Sequence, residues 1–286
     1  MAMTSDKPII WGAAAAVVAG AIALYLYANR ASLRPAPAPA AVQSAPQAAP
    51  PPVASTPVIE HPVPGSGAPG SQPAPALDQS DPPFHEALTA VPGAQAVEKL
   101  LVPENIIRHI VVTVDNLSKK KVAVEQRPIK ATSGQFMTRS NGNQLIISPG
   151  NYARYRPFMD VVKSVDMSKL VQVYYHFYPL FQTAFDDLGY QDGYFNDHVI
   201  ELIDHLLATP DVHGPIALTQ PNVMYLYADP ALEALSPGQK TLIRMGPENE
   251  ALLKARLQDL KTQLLAHPPE HPPLAHPSQA HPPQQH

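Results

Sequence analysis

The chain has 286 residues, a formal net charge of −4 and no cysteine, which excludes disulfides, thiolate nucleophiles, iron–sulfur clusters and cysteine zinc sites. So small a charge gives no reason to expect a nucleic-acid partner, since modules that bind nucleic acid usually show a basic face. Its 35 prolines crowd the two ends, which cannot build a core; about 180 residues between Phe84 and Leu265 remain for one globular domain.

Residues 1–8 read as a short cytoplasmic N-terminus. The nineteen uncharged residues Ile9 to Tyr27, IIWGAAAAVVAGAIALYLY, are long enough at about 1.5 Å per residue to cross a hydrocarbon core about 30 Å thick. Trp11 lies near one end and Tyr25 and Tyr27 at the other, where amphipathic rings suit the two interfaces. Asn29 and Arg30 follow directly, in place of a small-residue cleavage site, so the helix is expected to remain as an anchor. Lys7 on one side nearly balances Arg30 and Arg34 on the other; the long spacer after them favours export of everything that follows. Gly12, Ala16 and Gly20 form a small-residue stripe that permits a homodimer through this helix.

Residues 28–83 are expected to form a disordered Pro/Ala-rich linker of polyproline type, with fifteen prolines between Pro35 and Pro83 and a flexible Gly-Ser joint at Gly65 to Ser71. The domain at 84–265 opens with helical patterns at Pro82–Ala90, Gln95–Leu101 and from Pro103 through ENIIRHIVVTVDNL, where Ile106, Ile107, Ile110, Val111 and Val114 paint one stripe. Two strand-like runs, QFMTR and NQLIIS, flank Ser140, Asn141 and Gly142, an Asn-Gly hairpin signal of type I′.

Helices are predicted at 158–165, 167–188 and 194–207, the second interrupted by Pro179, and a second strand pair at PIAL and VMYLY. Leu252, Leu253, Leu257, Leu260 and Leu264 mark a final amphipathic helix. Residues 266–286 form a His/Pro-rich tail, expected to be disordered and without a fixed metal role; the alternative is loose ligation of Zn²⁺ or Ni²⁺ by its five regularly spaced histidines. The expected fold is mainly α with α+β character: one membrane helix, a spacer and a helical domain carrying one or two short hairpins.

The segment LSPGQKTLIRMGPEN mimics a nucleotide loop, but Gln239 separates Gly238 from Lys240 and the glycine spacing of a P-loop is missing. Ser236 at an N-cap, Pro237 at the first helical position and Gln239 at the third instead spell a capping box, ended by Gly246 and Pro247. Lys240 and Arg244 then share one face and repel unless an anion or an internal carboxylate neutralises them. His198, Glu201 and His205 place three metal-ligand types on the polar face of one helix, although the spacing is not that of a zincin. Fourteen of the eighteen Phe and Tyr residues lie between Tyr152 and Tyr227, and Tyr152, Arg154, Tyr155 and Arg156 in NYARYRPF are the candidates for a partly exposed ligand groove.

PGNYARYRPF, YYHFYPLFQTAFDDLG and YLYADPALEALSPGQKTLIRMGPEN, behind a single span and a Pro-rich spacer, resemble a family of bacterial envelope proteins catalogued only as a domain of unknown function. The resemblance covers roughly Phe84 to Leu265 and implies envelope placement, without a reaction, a cofactor or a catalytic residue. The leading reading is a non-catalytic protein anchored in the bacterial inner membrane through residues 9–27, its domain periplasmic, acting in protein interaction or envelope organisation with an unidentified protein or envelope component. The alternative is a binding module for glycan or another anionic envelope ligand through Arg154, Arg156 and the tyrosines; a hydrolase ranks third.

Overall fold

The computed structural model describes residues 59–64, 75–119, 128–130, 132 and 134–266. The expected membrane helix at 9–27, most of the 28–83 spacer and the tail beyond Ala266 lie outside them. Among the described residues no helix is long and apolar enough to cross a membrane.

Helix α1 (Asp81–Leu88) starts on Asp81 with prolines in its first turn, where their missing N–H groups have no helical partner to lose, and buries Phe84 and Leu88. The next expected helix is a short 3-10 turn, Gln95–Lys99. Helix α2 (Ile106–Leu117) buries the stripe of Ile106, Ile107, Ile110, Val111 and Val114, but starts three residues later than Pro103. Asn105 is left-handed at φ 52°, and its N–H and that of Ile106 donate to the Asp81 carboxylate at 2.6 and 2.8 Å. A carboxylate from α1 thus satisfies N–H groups that the start of α2 leaves without a helical acceptor.

Strands β1 (Thr138–Asn141) and β2 (Gln144–Ile147) form the expected hairpin in a shifted register, since Asn141 pairs with Gln144. The two-residue loop is therefore Gly142–Asn143, and Gly142 alone carries a positive φ, of 61°. That is the II′ arrangement, with glycine first, in place of the expected I′ turn centred on Asn141 and Gly142. Strands β3 (Ala217–Thr219) and β4 (Leu226–Tyr227) pair in turn, and Leu145 opposite Leu218 joins both hairpins into one antiparallel sheet of order β1-β2-β3-β4.

A 3-10 stretch, Pro149–Tyr155, leads into α3 (Arg156–Ser164), followed by α4 (Met167–Asp186) and α5 (Phe195–Leu207). Pro179 does not divide α4, because Phe177, Tyr178, Leu180 and Phe181 on both sides of it are buried in the helical core. The last elements are α6 (Pro230–Glu233), α7 (Pro237–Met245) and α8 (Pro247–Leu265). Helix α8 packs on α3, α4, α5 and α7 and buries Leu253, Leu257, Leu260 and Leu264; Leu252 is only partly covered.

The main core is helical and strongly aromatic. Phe84 meets Phe177 and Phe181 edge-on at 5.1 and 5.6 Å, and Phe181 stacks on Phe195 at 5.7 Å. A smaller core of Ile147, Ile216, Leu218, Tyr227 and Ile243 lies under the sheet. The folded body reaches N-terminal to Phe84, through the 3-10 turn Leu77–Gln79 and through residues 59–64, which lie against the start of α5 within the span expected as spacer.

Candidate functional site

The lookalike nucleotide loop folds into α7. Ser236 Oγ accepts the Gln239 N–H and Gln239 Oε1 accepts the Ser236 N–H, both at 3.3 Å, closing the expected capping box. Every residue from Pro237 to Met245 is buried, Lys240 and Arg244 included, each at 7% exposure. Burial of two cations requires compensation. Lys240 Nζ lies 2.5 Å from Glu233 Oε1, while Glu233 Oε2 accepts the Tyr227 N–H at 2.8 Å. Arg244 sits over the Tyr227 ring at 5.3 Å, and the Tyr227 hydroxyl donates to the Lys240 carbonyl at 3.0 Å. Burial pushes the Tyr227 phenol well above its ordinary range, with Arg244 opposing, so it stays a neutral donor. The segment is a structural latch between α6, β4 and α7.

The NYARYRPF residues face four surroundings. The Tyr152 ring covers Gly246, which stands at φ 86° and where a Cβ would fall 2.6 Å from the ring. Tyr155 is buried in the helical core at 5% exposure, and burial raises its phenol pKa. Arg154 donates to the Gly134 carbonyl at 2.9 Å and to Asn151 Oδ1 and Thr132 Oγ1 at 3.3 Å each, while Arg156 is exposed at the start of α3.

The proposed metal ligands on α5 also separate. His198 Nδ1 is 3.7 Å from Glu201 Oε2, but its Nε2 faces Asp115 Oδ1 at 3.8 Å, and His205 Nε2 is 2.8 Å from Ser236 Oγ, outside any shared coordination sphere. Among the described residues no three His, Asp or Glu side chains are placed to hold a metal ion. His198 instead packs on Phe185 and Tyr190 above a network in which Asp115 accepts from Lys119 at 2.5 Å and from Tyr190 at 2.8 Å. Burial lowers the pKa of His198, against Asp115 and Glu201, which raise it.

A further polar and aromatic cluster lies where α4 meets the start of α5. Tyr174, Tyr178 and Tyr194 pack in sequence, with centroids 5.5 and 5.3 Å apart. Asn196 is locked beneath them: its Oδ1 accepts from Tyr174 at 3.1 Å and its N–H donates to the Tyr178 hydroxyl at 3.2 Å. Burial raises the pKa of both tyrosines, which keeps them neutral and able to donate.

Residues 59–64, IEHPVP, lie against this cluster. Glu60 and His61 donate their N–H groups to the two oxygens of Asp197 at 3.0 and 2.7 Å. Asn196 Nδ2 donates to the His61 carbonyl at 2.8 Å, and the Val63 N–H donates to the Tyr194 hydroxyl at 2.8 Å. Val63 is buried to 3% exposure within the helical core, whereas Ile59, Glu60 and Pro62 are exposed. Every polar contact of the segment here falls on its backbone, and Pro62 stands where no N–H is used. The arrangement is a peptide clamp: a carboxylate, an amide and a phenol read the backbone of a segment that bends at Glu60 and His61, and one apolar side chain anchors it.

No local pattern marks Tyr194, Asn196 and Asp197, because the segment they hold lies more than a hundred residues upstream. A protein-family model described as "Protein of unknown function (DUF3014)" matches residues 106–261, more than half of the chain, and includes the clamp residues but not 59–64. No curated protein and no solved structure matches the chain.

Proposed function

The chain belongs to the DUF3014 family of proteins of unknown function, and from that premise we propose that it is a non-catalytic protein-interaction module of the bacterial cell envelope, held at the inner membrane by residues 9–27 with its domain in the periplasm. One observation carries the interaction reading: the Asp197–Asn196–Tyr194 clamp holds a polypeptide segment by its backbone. Such contacts suit recognition of another chain as well as of this one. Support for the anchor is the uncharged stretch from Ile9 to Tyr27 with aromatic residues near its ends.

The alternative reading, an anionic-ligand module, loses part of its motivation. Lys240 is neutralised by Glu233 and Arg154 is turned to the Gly134 carbonyl. The test is site-specific photo-crosslinking in cells from an exposed position beside the clamp, such as Glu60, combined with protease accessibility of the domain in spheroplasts. A domain protected from external protease would remove the periplasmic placement, and absence of any crosslinked protein would remove the interaction module.

A further inference from the structure

We propose that the clamp on α4 and α5 is a binding site for a bent, proline-containing chain segment, and that the segment it takes in trans is residues 59–64 of a second copy of this chain. The inference rests on the reading of the domain as a protein-interaction module and names the partner of that site.

The bound segment has the properties of a ligand. Its recognition includes four backbone hydrogen bonds, to Asp197, Asn196 and Tyr194, and one buried side chain, Val63. None of these contacts depends on which chain supplies the segment. The residues between it and the domain, Gly65 to Ala74, read GSGAPGSQPA and include three glycines. The contacts are the same in cis and in trans, so the balance is set by local concentration and joint entropy alone. A connection of only ten residues, 65–74, sets the cis competitor at an effective concentration on the order of millimolar. Copies anchored side by side in one membrane raise the trans competitor toward that range. Exchange of an identical element between protomers is a known low-cost route to association.

The experiment uses two full-length variants in detergent, each of which disables one half of the contact. The donor, Tyr194→Phe/Asp197→Ala, keeps its segment and loses its clamp; the acceptor, Val63→Asp, keeps its clamp and loses its apolar anchor. Circular dichroism verifies that each is folded, and Tyr194→Phe alone replaces the donor if the double variant is not. With the two tagged differently, donor and acceptor are expected to co-purify at least tenfold above the level each variant shows with itself, that self-level being the background from the membrane helix. Adding Val63→Asp to the donor is expected to return the signal to background.

In parallel, a synthetic peptide of residues 57–66 is titrated into the acceptor by fluorescence anisotropy. Peptide binding without co-purification of the donor would overturn the second-copy inference and leave the peptide clamp standing. Failure of both, with folded variants, would overturn the clamp as a binding site as well.

Discussion

The Lys240 ammonium lies 2.5 Å from Glu233 Oε1, with the lysine side chain 9% exposed and the glutamate 30%. The pair closes α7 onto α6 and answers the charge problem posed by two cations on one helix face. Removing the acid leaves the lysine buried without its counter-charge, which costs more than the pair itself contributes.

Glu233→Ala is therefore expected to destabilise the domain by about 2 kcal/mol or more, below the roughly 3–5 of a fully buried pair because Glu233 retains contact with water. The double variant Glu233→Ala/Lys240→Met should recover part of that loss. Urea unfolding monitored by tyrosine fluorescence reads both, and a double variant less stable than Glu233→Ala alone would show that the pair is not a latch.

Asp81 caps α2 from another helix through the N–H groups of Asn105 and Ile106. Asp81→Ala should cost about 1–2 kcal/mol, the usual penalty for a lost cap. Hydrogen exchange should show the loss first at Asn105 and Ile106; unchanged protection there would exclude the capping role.

Gly246 joins α7 to α8 at φ 86° and ψ 159°, a region open only to glycine, beneath the Tyr152 ring. Gly246→Ala adds a steric clash to backbone strain and is expected to cost about 3 kcal/mol. Gly189, at φ 101° with open space around it, isolates the strain; Gly189→Ala should cost about 1 kcal/mol. Equal midpoint shifts for the two in denaturant would show that the Tyr152 contact carries no weight.

Burial lowers the pKa of His109, His198 and His205 below the ordinary value of 6.5. A histidine whose pKa is lower in the folded state binds fewer protons there than in the unfolded chain, so stability is full above about pH 6.5 and falls as pH drops toward the folded values. Glu250 has the opposite sign, since burial raises its pKa from 4.5 and its contribution grows on acidification. Between about pH 7.5 and 5.5 the histidines govern the slope, and stability should decline. His109→Gln/His198→Gln should flatten that decline in urea titrations at several pH values; a slope unchanged by the double variant would clear these two groups.

Much of the helical framework was legible before any coordinates. The stripe from Ile106 to Val114, the helices around α3 to α5, the Leu253–Leu264 stripe and the Ser236–Gln239 capping box are set by interactions between residues three or four apart. The register of the hairpin was not, because Asn141, Gly142 and Asn143 allow more than one two-residue loop, and the pairing of Leu145 with Leu218 decides between them. Pro179 looked like an interruption because its local cost is visible in sequence, whereas the packing of Phe177 and Phe181 that offsets it is not.

By itself, then, the sequence determined the absence of cysteine chemistry, the helical periodicities, the caps and the concentration of proline outside the domain. The tertiary structure decided everything that joins distant residues. Arg154 is turned to the Gly134 carbonyl, His205 is drawn to the α7 cap, and Asp197 is brought to the N–H groups of Glu60 and His61 across more than a hundred residues. Periodicity is a short-range property that each stretch carries alone, while a binding site is a convergence of side chains that exists only once the chain has closed its long loops and buried the residues between.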